Sequence, residues 1–395
     1  MTETAPTEPS GPTGPATHAA HAEPTNSASP PIPATAPPAS YTPKVSTDIL
    51  GEPWVARRIA VTPDEAAAPG ADHAVLVHQR GAVPPAGGAP RHERAVLYLH
   101  GRNDFFFQTH LADALLTAGY EFYALDLRAC GRAGVDHPSP HDVRDLRVHD
   151  EEITEALRII RTEHAHSGDV VLNGHSTGGL LAAIWAADHP GSVSALVLNS
   201  PWLQLNSSGL ARSYGSAYVD LISRRDPEKI IDDPAQARAR KRARRAADAA
   251  TAVPVDADPG PIGEDLYVRS LHRHWGGEWD WDLRLKPSPS FPVRAGFLAG
   301  IRRLQREVRH GLGLRIPVLV CCSTTTGGPG TDAREARRSD VVLSVEQIVE
   351  RAGFLGSDVT IRQIPNGVHD LALSPSPARE EYLTTVTEWL TARLG

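Results

Sequence analysis

Cysteine is nearly missing from this chain: Cys130, Cys321 and Cys322 are its three. Three thiols, two of them adjacent, cannot build a disulfide framework, and they read as reduced core residues of a cytosolic protein. No run of 18 consecutive apolar residues occurs, so no transmembrane helix is expected. The N-terminal stretch lacks both a basic start and an apolar segment of signal-peptide length, which makes the expected location the cytoplasm. An excess of positive charge is also lacking. A formal net charge of −7 and a pI near 6.2 argue against a nucleic-acid partner, which would call for a basic face that displaces counterions from phosphates. Lysine is scarce beside arginine, 4 against 36, a bias that carries no functional reading.

What is present is the composition of a globular protein: 41% hydrophobic and 22% charged residues, in a chain of 395 that can bury a large core. Residues 1–43 are rich in Pro, Thr, Ala and Ser, too poor in apolar surface to offset their ordering entropy, and are expected to form a disordered tail. Beyond them, segments of strand character alternate with segments of helical periodicity. Strands are expected at Trp54–Thr62, His73–His78, Ala95–Leu99, Tyr120–Leu127, Val170–Asn173, Ala195–Leu198, Pro317–Cys322 and Val359–Ile364. Between them, Phe107, Leu111, Ala114, Leu115 and Ala118 recur at helical spacing, as do Leu146, Ile153, Leu157 and Ile160 within Asp145–Thr162, and Tyr382, Val386, Trp389 and Leu390. This alternation implies an α/β fold with a mostly parallel sheet covered by helices on both faces.

The alternation stops near residue 201 and resumes at Ile316. The expected organisation is therefore a core of residues 44–200 and 316–395, with 201–315 inserted over the sheet as a cap. Within the insertion lies a basic low-complexity segment, 234–262, whose run Arg238 to Arg245 reads first as a solvated excursion and more sharply as a contact with anionic lipid or another polyanion. The cluster Trp275, Trp279, Trp281, His272 and His274 reads first as cap core and second as a substrate cage.

The stretch from Asp169 to Gly179, Asp-Val-Val-Leu-Asn-Gly-His-Ser-Thr-Gly-Gly, carries the chemistry. A strand runs into Gly-His-Ser-Thr-Gly and a helix follows. On such a turn the serine is held in a strained conformation that exposes its hydroxyl, and the flanking glycines let strand and helix approach closely. Ser176 is thus the candidate nucleophile, and the N–H of Thr177 at the helix start is a candidate oxyanion donor. A serine needs a base and an acid to orient that base. His369, on the loop after the last strand and with no histidine beyond it, is the candidate base. The acid is expected after Pro317–Cys322 and before a helix starting near Ser344. Asp332, Asp340 and Glu335 are open to that role, and Asp340 is favoured because Val-Val-Leu behind it would hold it at the sheet edge. The second oxyanion donor is expected after the third strand, where Gly101 permits close approach and the N–H of Arg102 follows. His100 reads as structural, and Asp126 as a tie for a loop.

Gly-His-Ser-Thr-Gly-Gly at 174–179, Leu-His-Gly-Arg-Asn-Asp at 99–104, Ala-Leu-Asp-Leu-Arg at 124–128, Ser-Asp-Val-Val at 339–342 and Gly-Val-His-Asp at 367–370 resemble the α/β-hydrolase fold. Within it they resemble the serine aminopeptidase S33 (Hydrolase_4) group, with its lysophospholipase and monoacylglycerol-lipase-like members, over roughly residues 45–395. The wording around Asp104-Phe-Phe-Phe-Gln and Gly277-Glu-Trp-Asp-Trp is similar to that of actinobacterial members. The resemblance implies an eight-stranded, mostly parallel sheet with an inserted cap, Ser176, Asp340 and His369 as triad, Arg102 and Thr177 as backbone donors, and no metal or cofactor. It implies a carboxylic-ester hydrolase acting on a small-molecule or lipid ester through an acyl-serine. The chain departs from the monoacylglycerol lipases at Arg102-Asn103-Asp104, where they carry a small residue and then glycine, and its acid loop is longer. Two rival readings remain: a peptide or amide hydrolase, for which Glu264, Asp265, Glu278, Asp280 or Asp282 would bind a substrate amine, and a noncatalytic ligand-binding protein on the same fold.

Overall fold

The computed structural model describes residues 45–82, 90–164, 169–205, 216–231, 241, 264–328 and 330–395. The N-terminal segment 1–43 and all but one residue of the basic segment 234–262 lie outside them, and with them the expectations of a disordered tail and a polyanion contact.

Nine strands form one sheet: β1 (Val45–Thr47), β2 (Trp54–Ala60), β3 (His73–Gln79), β4 (Arg94–Leu99), β5 (Tyr120–Asp126), β6 (Val170–His175), β7 (Ala195–Asn199), β8 (Val318–Ser323) and β9 (Val359–Ile364). Their spatial order is β1-β2-β3-β5-β4-β6-β7-β8-β9. Every neighbouring pair from β5 to β9 is parallel, whereas β1, β2 and β3 join antiparallel at one edge. Eight of the nine match strands read from the sequence. The ninth, β1, is three exposed residues, too short and too wet to carry a hydrophobic signal.

The inner strands are apolar along their whole length because both faces are covered. Successive side chains alternate between faces. Leu97, Leu99, Leu172, Leu196, Leu198, Val318 and Val320 pack on one side with Ile153, Leu157, Ile160, Leu180, Leu181, Leu304 and Ile348. Val96, Tyr98, Val171, Val197, Leu319 and Cys321 pack on the other with Leu111, Leu115, Tyr382, Val386 and Leu390. The helices concerned are Asp150–Glu163, Thr177–Asp188, Ala295–His310 and Val345–Ala352 on the first side, and Thr109–Thr117 and Ala378–Leu394 on the second. All three cysteines are buried and unpaired.

The helix read as starting at Asp145 begins instead at Asp150. Asp145 caps a short 3-10 turn, Leu146–His149, by accepting the Arg147 N–H, and a side chain that competes for backbone donors favours that tighter turn before the helix proper. Between β7 and β8 the described residues contain helices Ser216–Arg225, Glu264–Leu271 and Ala295–His310 and no strand of the sheet. The last of these buries Phe297, Leu298, Ile301, Leu304 and Val308 in the main core cluster. Trp281 buries with Phe105, Phe107, Leu266, Tyr267, Leu285, Val368 and Leu373, while Trp279 packs at the edge of that cluster and donates its indole N–H to the Leu373 carbonyl. Most of this tryptophan cluster is therefore packing. No described helix is long and apolar enough to cross a membrane.

Candidate active site

The C-terminal ends of the parallel strands bring four loops together, as open α/β sheets do. After β6, Ser176 sits at φ +54° and ψ −115°, a region that non-glycine residues rarely adopt. The glycines around it are required by contact. A Cβ on Gly174 would lie 2.5 Å from the Gly178 carbonyl oxygen, and one on Gly178 would lie 2.3 Å from the Leu99 and 2.5 Å from the His100 carbonyl oxygens. The tight turn thus wedges the start of helix Thr177–Asp188 against the end of β4.

His369 follows β9 and is buried. Its Nε2 lies 3.0 Å from Ser176 Oγ, and its Nδ1 lies 2.9 Å from Asp340 Oδ2. With Asp340 ionised, Nδ1–H donates to the carboxylate and Nε2 accepts the serine O–H. Asp340 is fully buried, and its Oδ1 accepts the N–H groups of Val342 and Leu343. The long acid loop reaches this point because Thr326 and Asp340 bridge in parallel, returning the chain to the end of β8. Asp332, the alternative, instead caps the short helix Ala333–Ala336 with Glu335 as its capping-box partner.

Arg102 and Thr177 flank the serine. A Cβ on Gly101 would approach Ser176 Cβ to 3.0 Å, so the backbone of this loop touches the serine. Thr177 is the first residue of its helix, where an N–H has no intrahelical acceptor. His100 is structural: its Nε2 accepts the Leu127 N–H, and its Nδ1 donates to the Gly101 carbonyl. Asp126 ties a loop by accepting from Phe106 N–H and the Arg132 guanidinium.

The departure at Arg102-Asn103-Asp104 has a structural purpose. All three side chains grip the segment 286–291: Arg102 donates to the Phe291 carbonyl, Asn103 exchanges hydrogen bonds with Pro287 O and Phe291 N–H, and Asp104 pairs with Lys286 at 2.7 Å. The ammonium of Lys286 is buried, 5.2–5.3 Å from the ring centres of Phe107, Tyr267 and Trp281.

Sequence reasoning missed the buried polar layer below the serine. Side-chain oxygen and nitrogen atoms of Asp104, His175 and Asp370 lie within 4.8 Å of one another, and Lys286 supplies the nearby positive charge. The His175 ring packs 4.8 Å from that of His369. Asp370 accepts from Gln108, Asn199 and the Ala372 N–H, which fixes the loop bearing His369. Burial works to raise its pKa, but His175, Lys286 and these hydrogen bonds outweigh that and hold it below the usual carboxylate range. Asp370 was visible in the Gly-Val-His-Asp motif; its partners come from distant strands and loops and left no local signal.

Burial also lowers the pKa of five histidines, His78, His110, His141, His164 and His175, below the ordinary value of 6.5. The folded state keeps them neutral where the unfolded chain binds protons, so stability falls as the pH drops through about 6.5. Glu152 and Asp370 are shifted down, so their contribution is held to lower pH and is lost only below the usual carboxylate range. Thermal melts should show Tm falling between pH 7.5 and 5.5; a flat Tm over that interval contradicts this account.

The sequence profile of the serine aminopeptidase S33 family, Hydrolase_4, matches residues 90–255. A monoacylglycerol lipase from Mycolicibacterium smegmatis is 36% identical over 92 residues, which make up 23% of this chain and 31% of that protein's length. Among solved structures, a soluble variant of monoglyceride lipase from Saccharomyces cerevisiae superposes with a TM-score of 0.55 at 15% identity, over 85% of this chain and 95% of its own. A thermostable carboxyl esterase from Bacillus coagulans gives 0.54 at 14% identity, over 86% and 99%. At such identities the structural likeness speaks for the fold. Profile and fold together identify the chain as an α/β-hydrolase-fold protein whose residues 90–255 carry the serine aminopeptidase S33 pattern.

Proposed function

We propose that the protein is a serine hydrolase that cleaves carboxylic esters, with Ser176 as nucleophile, His369 as base and Asp340 as the acid that orients it. The observation that carries this reading is the unbroken chain of short contacts, Ser176 Oγ to His369 Nε2 at 3.0 Å and His369 Nδ1 to Asp340 Oδ2 at 2.9 Å, on a serine held at positive φ. In the first step Ser176 Oγ attacks the ester carbonyl carbon while its proton passes to His369 Nε2. The oxyanion is held by the N–H groups of Arg102 and Thr177. The carbon–oxygen bond to the alcohol then breaks, and His369 returns the proton to the leaving oxygen. Water attacks the acyl-serine, gives a proton to His369, and the serine–acyl bond breaks with the proton returned to Oγ. Residues 201–315 would serve as the cap that shapes the substrate site.

The lipase and esterase names of the relatives support ester over amide hydrolysis, and so does the state of three of the five carboxylates an amine-binding site would use. Asp265 accepts from Ser288 and the Ser290 N–H, while Glu278 pairs with Arg379 and Asp282 with Arg284. The test is reaction with a fluorophosphonate while hydrolysis of p-nitrophenyl butyrate is followed. One adduct on the peptide bearing Ser176 and a parallel loss of activity are expected. Full turnover by fully labelled protein would sink the reading, and faster cleavage of aminoacyl amides than of esters would transfer it to the amide class.

A further inference from the structure

The N–H of Arg102 can hold an oxyanion only if its peptide plane keeps one direction, and that plane is held from two sides. On the serine side a Cβ at Gly101 would lie 3.0 Å from Ser176 Cβ and 3.1 Å from His175 Cδ2, and the Gly101 carbonyl accepts from His100 Nδ1 at 2.6 Å. A planar trans peptide points its N–H away from its C=O, so this bond aims the Arg102 N–H. It is a single contact. Gly101 has no Cβ to oppose rotation about its ψ, so a second restraint is needed on the far side of the plane, at Arg102 and the residues that follow it.

Asn103 supplies it. The residue is buried, its Oδ1 accepts the Phe291 N–H at 3.1 Å, and its Nδ2 donates to the Pro287 carbonyl at 3.1 Å. One partner is a backbone donor and the other a backbone acceptor, so together they fix the amide's orientation as well as its position. The Asn103 backbone sits at φ +52°, a region that asparagine enters with less strain than most side chains. Asparagine thus meets two needs at once: it tolerates the turn, and it ties the turn to a segment 184–188 residues further along the chain. Asp104, paired with Lys286 at 2.7 Å, continues the same hold one residue on. Resting on the ester-hydrolase reading above, we propose that Asn103 is a positioning residue for the oxyanion hole, and that through it the segment 286–291 sets the direction of the Arg102 N–H. Asn103 acts through Arg102 and is not itself a catalytic residue. The inserted segment then takes part in the chemistry as well as in packing.

The experiment replaces Asn103 by glycine in the purified full chain, which leaves φ +52° accessible and removes both side-chain hydrogen bonds. Loss of a whole oxyanion donor costs roughly 10²- to 10³-fold in kcat, and a donor left in place but poorly aimed costs less. Asn103→Gly should therefore lower kcat for p-nitrophenyl butyrate by about 10- to 100-fold and leave KM within about twofold, the pattern of an interaction made only in the transition state. Inhibition by butaneboronic acid, whose adduct on the serine places an oxygen at the oxyanion donors, should weaken by a similar factor. Should the glycine variant not fold, Asn103→Asp keeps the size, the tolerance of positive φ and the acceptor for Phe291 but loses the donor to Pro287, and it should show the same loss in kcat alone. In a folded variant, a kcat loss below about tenfold, a loss carried by KM, or unchanged boronate inhibition overturns the positioning role while leaving ester hydrolysis intact. If the wild type cleaves no ester and does not react with the fluorophosphonate, the hydrolase reading fails and the role of Asn103 falls with it.

Discussion

Ser176→Ala is expected to lower kcat for a short p-nitrophenyl ester by about 10⁴- to 10⁶-fold and to abolish fluorophosphonate labelling. The substitution removes one oxygen. That oxygen makes the 3.0 Å contact with His369, whereas the backbone bonds of the turn, Ser176 N–H to Asn199 O and Leu180 and Trp202 N–H to Ser176 O, do not involve the side chain. The fold should therefore persist, and a melt of the variant should overlay that of the wild type. Because a nucleophile and its base act as one unit, His369→Ala should be about as inactive, and the double variant no worse than either alone. Turnover by Ser176→Ala at the wild-type rate would remove the proposed mechanism, whatever the distances.

The second large effect is on stability. Arg128 is fully buried, and its guanidinium donates to Glu152 at 2.6 and 2.9 Å, to Glu151 at 2.7 Å and to the Thr62 carbonyl at 3.2 Å. Glu152 is equally buried and also meets His149 Nδ1 at 2.7 Å. Arg128→Met would leave the Glu152 carboxylate in the interior without its guanidinium partner, with His149 alone beside it, and the expected loss is about 3–5 kcal/mol in urea unfolding. Glu151 adds little to this figure, since its side chain is 41% exposed and water screens it. Arg128→Met with Glu152→Gln should recover part of the loss, because the second change removes the stranded charge. A single-variant loss under about 1 kcal/mol would show that water or relaxation already satisfies Glu152.

These two predictions differ in how much of their basis could be read along the chain. The turn at Ser176 is a local pattern, since the glycines at 174 and 178 lie between the strand Val170–His175 and the helix Thr177–Asp188 that adjoin it. Arg128 and Glu152 belong to Ala-Leu-Asp-Leu-Arg and to an amphipathic helix, yet nothing in either stretch announces that they meet. The same holds for Lys286 and Asp104, whose pairing joins residues 182 apart in the chain. The choice between Asp332 and Asp340 was likewise open, because a loop's length does not say where it returns. The Thr326–Asp340 bridge brings Asp340, and not Asp332, to within 2.9 Å of His369 Nδ1.

By itself the sequence determined the alternation of strands and helices, the strained turn at Ser176 and the order in which the proposed serine, acid and base follow one another. Period-2 and period-3.6 patterns, and glycines where a Cβ would strike backbone, are properties of neighbouring residues. Tertiary structure alone decided which acid meets His369, that Arg102, Asn103 and Asp104 bind the segment 286–291, and that His141 lines a small cavity with Arg102 and Thr177. Those are contacts between segments far apart in the chain, set by how the sheet stacks its loops, and no local pattern encodes them.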